Sequence, residues 1–136
     1  MLIAAIDRDN NFTNDLGTML KDHLMDIEYR SFVSADDCLK FVRDNNVSLV
    51  FLDKDIGNAP YDMRFAHQQL RKLERHIDII LVGNDNRLDE NTAIWSIQNR
   101  CSDYICKPLT IEKLLSSLQN IWFNPIPQLV EDTINT

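Results

Sequence analysis

Residues 47–55 read Val-Ser-Leu-Val-Phe-Leu-Asp-Lys-Asp, VSLVFLDKD. The first six positions are almost continuously apolar and rich in β formers; the next three are all charged. A strand with one wet face alternates apolar and polar residues. A near-continuous run marks a strand covered on both faces, as in a parallel sheet between two layers of helices. The step from VSLVFL to DKD marks where such a strand leaves the core at its carboxyl end, and in open α/β sheets ligands collect at that edge.

The rest of the chain repeats this alternation. A short apolar run, Leu2-Ile3-Ala4-Ala5-Ile6, opens it, and Phe12, Leu16, Leu20 and Leu24 follow at helical spacing. Residues 27–33 alternate weakly and predict a less buried strand. Ser34 and Asp37 predict a helix cap, with Cys38, Leu39, Phe41 and Val42 as the apolar side. After VSLVFL come a loop over residues 53–60 and a helix marked by Ala66, Leu70 and Leu73. A second buried strand follows, IDIILV over 77–82. Ile94, Ile97 and Cys101 predict the inner side of a fourth helix, and residues 101–106 a fifth strand. Thr110 predicts the cap of a last helix carrying Ile111, Leu114, Leu115, Leu118, Ile121 and Trp122, stopped by Pro125 and Pro127. Strict alternation of five strands and five helices means right-handed βαβ units. The expected fold is α/β, doubly wound and flavodoxin-like, with a five-stranded parallel sheet in the order 2-1-3-4-5. Residues 1–123 are expected to form the domain, and 124–136 a tail or the start of a linker.

With 136 residues, one domain buries enough surface to need no disulfide or metal staple. The 14 basic and 21 acidic residues give a net charge of −7, which argues against direct nucleic-acid binding and against attraction to anionic membranes. No run reaches membrane-spanning length and no signal-peptide layout opens the chain, so a cytoplasmic protein is expected. Cys38, Cys101 and Cys106 are read as buried, reduced thiols. His23, His67 and His76 are read as surface or boundary residues. The run from Arg71 to Arg75 is read as a solvated helix face. Trp95 marks a partner surface if exposed and core if the fourth helix is rotated.

The strand ends carry the chemistry. Asp7, Arg8 and Asp9 follow the first strand, Asp53, Lys54 and Asp55 the third, Gly83, Asn84 and Asp85 the fourth. The fifth ends in Cys106-Lys107-Pro108. In the expected strand order these groups share one cleft. Clustered carboxylates repel unless something holds them ionised together. A hard divalent cation such as Mg²⁺ does so through oxygen ligands while leaving room for phosphate. A lysine ammonium adds a charge suited to a phosphoryl oxygen. The set points to phosphoryl chemistry at a carboxylate, with Asp53 at its centre as the nucleophile.

AAIDRD, VSLVFLDKD and DYICKPLT, in this order and on five βα units, resemble the receiver (CheY-like) domains of two-component response regulators over residues 2 to about 122. The resemblance implies that Asp53 accepts a phosphoryl group from the phosphohistidine of a histidine kinase or histidine phosphotransfer protein. It implies Mg²⁺ held by Asp7, Asp53 and the backbone carbonyl of Asp55, with Asp9 in reach. It implies Lys107 on the phosphoryl oxygens, Pro108 after a cis bond, and Tyr104 as an aromatic that turns inward on phosphorylation. The implied protein is a switch with only slow self-catalysed chemistry, not a turnover enzyme. An output domain or a second copy is expected on the face of the fourth helix, fifth strand and fifth helix.

Three departures stand out. Arg8 occupies the second acidic position, where it is expected to weaken Mg²⁺ binding unless it swings out. Gly83 stands where a hydroxyl residue is usual, with Asn84 or Asp85 as possible counterparts. Gly57 stands where a proline is common, and Pro60 comes later. Gly83 is expected to leave open space beside Tyr104 and to weaken switching, so that serine there would strengthen it. The plain reading of Tyr104 is an aromatic at a strand edge with a wet hydroxyl. These departures also support a degenerate receiver that binds partners without phosphorylation. A flavodoxin-like enzyme or nucleotide binder is disfavoured by the three scattered glycines, which make no phosphate-cradling loop.

Overall fold

The computed structural model describes residues 1–57, 62–84 and 89–122. Strands and helices alternate as β1 (Leu2–Ile6), α1 (Asn10–His23), β2 (Glu28–Phe32), α2 (Ala35–Asp44), β3 (Val47–Asp53), α3 (Met63–Arg71), β4 (Asp78–Gly83), α4 (Glu90–Gln98), β5 (Asp103–Cys106) and α5 (Ile111–Ile121). The strands form one sheet in the order β2-β1-β3-β4-β5, and every pair is parallel. This is the expected doubly wound architecture. Pro60, Asp85, Pro125, Pro127 and the segment 124–136 lie outside the described residues.

β3 is covered on both faces, as its composition requires. Leu49 and Phe51 join Phe12, Leu16 and Leu20 of α1 and Leu114 and Leu118 of α5 in one apolar cluster. Val50 and Leu52, pointing the other way, join Cys38 and Val42 of α2 and Ala66 and Leu70 of α3 in the second. β2, at the sheet edge, has no buried residue. Tyr29 from this strand lies across α1, where a side chain on Gly17 would come within 2.8 Å of its ring.

The helix starts are set by side-chain caps. Ser34 accepts from the Asp37 N–H, and Thr110 from the Lys113 N–H. Asp9, Asp62 and Asp89 cap α1, α3 and α4 in the same way.

Several expectations are corrected. α4 is rotated: Ile94 and Ile97 are 46% and 77% exposed, while Trp95 packs on the core beneath α3 and α4 and Ser96 is buried. His67 is buried too, with its ring edge-on to Trp95 and its Nε2 3.1 Å from the Asn99 carbonyl. The run 71–75 is not a solvated helix face. α3 ends at Arg71, whose guanidinium donates to the Ile77 and Arg100 carbonyls. Arg75 donates to the Val42 and Asn45 carbonyls at the end of α2, and Leu73 packs on the core. The thiols of Cys38 and Cys106 are buried as expected, and only Cys101 is half-buried; burial pushes the Cys38 and Cys101 thiols up to about 12 and about 11. Among the described residues no helix is long and apolar enough to cross a membrane.

Candidate functional site

The carboxyl ends of β1, β3, β4 and β5 meet in one cleft. Asp53, the last residue of β3, is only 5% exposed. Its Oδ1 accepts from the Asp55 N–H at 3.0 Å and from the Asn84 side-chain amide at 2.7 Å. Both donors converge on Oδ1 rather than Oδ2. Burial raises the Asp53 pKa; the Asp55 N–H opposes this, the charge of Asp7 adds to it, and Asn84 and Lys107 oppose it.

Asp7, directly after β1, is 2% exposed. Its Oδ1 accepts from the Asp9 N–H at 2.9 Å and from the Lys107 ammonium at 3.2 Å. Its Oδ2 lies 3.0 Å from the same ammonium, but this is an ion-pair contact without hydrogen-bond geometry, and that oxygen is buried with no hydrogen-bond partner among the described residues. The Lys107 N–H donates to the Gly83 carbonyl, which holds the end of β5 beside β4; the Lys107–Pro108 bond is cis. The Lys107 ammonium also lies 4.7 Å from the Phe12 ring centroid.

Asp9 is committed elsewhere. One oxygen caps α1 by accepting from the Phe12 N–H at 3.1 Å; the other lies 3.4 Å from Lys107. The Phe12 bond is the main reason its pKa is lowered, with burial opposing and Lys107 assisting. Arg8 is exposed and lines a groove with Ser34, Asp36 and Gly57. A separate open cleft of about 640 Å³ runs past Lys107, lined by Asp9, Phe12, Asp15, Asn84 and Pro108.

Among the described residues no three His, Cys, Asp or Glu side chains are spaced to hold an ion together. What the cleft offers is two buried carboxylates, Asp7 and Asp53, with one buried Asp7 oxygen lacking a hydrogen bond. That suits a hard cation which keeps several waters and takes only one or two carboxylates, as Mg²⁺ does. The residues fit Mg²⁺ with Asp9 left as a helix cap.

The space beside Gly83 is filled, contrary to expectation. A Cβ there would lie 2.9 Å from the Tyr104 hydroxyl, 3.2 Å from its ring and 3.2 Å from the Cys106 sulfur. The Tyr104 side chain is turned in over Gly83, and its hydroxyl is buried rather than wet. The Asp89 N–H and the Cys106 thiol approach that hydroxyl, yet among the described residues it has no hydrogen bond of normal geometry. Burial, then the neighbouring Cys106, raises the Tyr104 pKa. Lys54 closes this corner: its N–H donates to the Val82 carbonyl, and its ammonium lies 3.5 Å from Asp89 at the start of α4.

The cleft therefore joins Asp7, Asp53, Asp55, Asn84 and Lys107, while Gly83 and Tyr104 sit together behind it. Sequence reasoning gave Lys54 no role and left Asn84 as one of two alternatives. A charged or amide residue directly after a buried strand was the only available signal for either.

No protein-family model matches the chain, and no curated protein matches it in sequence. Solved structures match its shape. The response regulatory domain of mrkE from Klebsiella pneumoniae superposes with a TM-score of 0.75 at 22% identity, over 89% of this chain and 94% of that one. A CheY-like receiver domain protein from Methanospirillum hungatei gives 0.73 at 17% identity, over 87% and 90%. A response regulator from Burkholderia pseudomallei, crystallised with a phosphorylated aspartic acid, a calcium ion and citrate, gives 0.72 at 20% identity, over 87% and 66%. The chain thus has the fold of response-regulator receiver domains, and the resemblance seen in its motifs extends to the whole topology.

Proposed function

We propose that this chain is a cytoplasmic receiver of two-component signalling, accepting a phosphoryl group on Asp53. The observation that carries this is the arrangement at the end of β3. A buried carboxylate has both its donors on Oδ1, beside a buried Asp7–Lys107 ion pair. Asp53 Oδ2 attacks the phosphorus of a phosphohistidine on a kinase or phosphotransfer partner. The P–O bond forms as the P–N bond breaks, and the imidazole keeps the bonding pair. Donors on Oδ1 hold the carboxylate in one rotamer, so Oδ2 meets the phosphorus in line. Lys107 gives up its longest contact, to Asp9, for a phosphoryl oxygen. Asp7 and Asp53, with the Asp55 carbonyl, would hold Mg²⁺, which supplies charge neutralisation on the phosphoryl oxygens. Water later removes the group slowly, so the domain acts as a switch rather than a turnover enzyme. An output domain or a second copy would dock on the α4–β5–α5 face.

The test is incubation with a small phosphodonor and Mg²⁺, followed by intact-mass measurement. One added phosphoryl group is expected on the parent and none on Asp53→Asn. Undiminished labelling of the variant overturns the assignment of Asp53. An unlabelled parent favours a module that binds partners without phosphorylation.

A further inference from the structure

Asp53 and Asp55 both present an oxygen to one atom. The Asn84 side-chain nitrogen lies 2.7 Å from Asp53 Oδ1 and 2.6 Å from Asp55 Oδ2. Only the NH₂ end of an amide can donate to two carboxylates, since the carbonyl end would face both with lone pairs. The acceptors therefore fix the amide's orientation. Both contacts have the short lengths of hydrogen bonds to charged groups. Two carboxylates this close repel one another unless something electropositive lies between them. Here a neutral amide fills that place.

We propose that the Asn84 amide occupies Asp53 Oδ1, together with Asp55 Oδ2, in the metal-free state and is displaced when a cation held by Asp7 and Asp53 takes Asp53 Oδ1. The inference rests on Asp53 being a metal-assisted acceptor. Asn84 is well placed for such exchange. β4 ends at Gly83, whose carbonyl is anchored by the Lys107 N–H. Asn84 is the first residue past that anchor and is exposed. Its side chain can leave the carboxylates without disturbing the core. Displacement exchanges two hydrogen bonds for a stronger charge–charge interaction, and the energy of breaking them is taken from the cation's affinity.

The test is a calorimetric titration of the full chain with Mg²⁺ alone, on the parent and on Asn84→Ala, with the side-chain NH₂ resonances of Asn84 followed in parallel. Asn84 is exposed and outside the core, so the variant keeps the fold, and the resonances report on the parent itself. Asn84→Ala is expected to bind Mg²⁺ at least roughly tenfold more tightly, since the parent gives up two hydrogen bonds to charged groups and tenfold corresponds to the lower end for one. In the parent, the NH₂ resonances move toward those of a solvated amide with the midpoint of the calorimetric curve. Equal or weaker binding by Asn84→Ala overturns the proposal, as do resonances that stay fixed through saturation. If Asp53 is still labelled by a phosphodonor in that case, the acceptor reading stands. Absence of Mg²⁺ binding by both proteins at millimolar concentrations overturns the proposal together with the metal-assisted mechanism.

Discussion

Asp53 is a carboxylate held where its charged form is disfavoured. Its pKa is raised mainly by burial, so the folded state binds this proton more tightly than the unfolded chain does. The stability this gives is fully present below the ordinary carboxylate value and is lost as the pH rises through the raised one. At neutral pH the buried charge therefore weakens the fold. Asp53→Asn removes the charge and keeps an Oδ1 able to accept from Asp55 and Asn84. The variant should be more stable at neutral pH by about 1 kcal/mol, the size of a typical single-residue effect. The gap should close as the pH is lowered and the parent's Asp53 protonates. Urea melts of both proteins across acid to neutral pH check this; a gap that widens on acidification would contradict the assignment. At this scale the sequence was partly legible. Asp7, Asp53 and Lys107 could be placed because each ends an apolar run, and such ends are visible in a linear pattern. The Asn84 bridge was not, because it joins side chains 29 and 31 residues apart and depends on rotamers that no periodicity encodes.

Among the elements, α4 shows why a periodic pattern can mislead. Two stripes at helical spacing run along it, one through Ile94 and Ile97, the other through Thr92, Trp95, Ser96 and Asn99. The second faces the core even though most of its members are polar. Its polar groups are satisfied within the helix: the Ser96 hydroxyl donates to the Ala93 carbonyl at 2.7 Å, and the Asn99 amide to the Trp95 carbonyl at 2.9 Å. Trp95 supplies the apolar area, and the two isoleucines are left outside. Beside α4, the Gly83–Tyr104 pair fixes the inner face of β5. Gly83 here serves close approach, since the Tyr104 ring occupies the place of a side chain at that position. Gly83→Ser is thus expected to expel Tyr104 rather than to strengthen a switch. Overpacking of this kind costs about 1–3 kcal/mol where the neighbour cannot move, and less where a surface tyrosine can rotate out. Nuclear Overhauser contacts between the Tyr104 ring and residue 83 should be present in the parent without phosphorylation and lost in the serine variant. Retention of those contacts in Gly83→Ser would show that β4 and β5 yield instead.

For the whole molecule, the alternation of buried runs and amphipathic segments was enough to give a parallel, doubly wound sheet covered on both faces, while its strand order followed from the shorter doubly wound arrangement and the motif resemblance. That same topology brings Asp7 from β1, Asp53 from β3 and Lys107 from β5 to one edge, although nearly the full length of the domain separates the first from the last. A cation held by Asp7 and Asp53 would tie together chain segments that are far apart in the unfolded state, which cannot assemble the site. Binding to the folded state alone stabilises it by an amount set by concentration over Kd, about 2.7 kcal/mol at a hundredfold excess. For a domain of this size that corresponds to a rise of roughly 10 °C in Tm. The net charge of −7 means that any salt also relieves some self-repulsion, so the comparison must be made at matched ionic strength with a monovalent salt. The expected result is a Mg²⁺-specific rise in Tm for the parent, strongly reduced in Asp7→Asn. That variant loses a charged cation ligand while keeping an oxygen to accept from the Asp9 N–H. An equal rise in parent and variant would place the stabilising ion somewhere other than the cleft between β1 and β3.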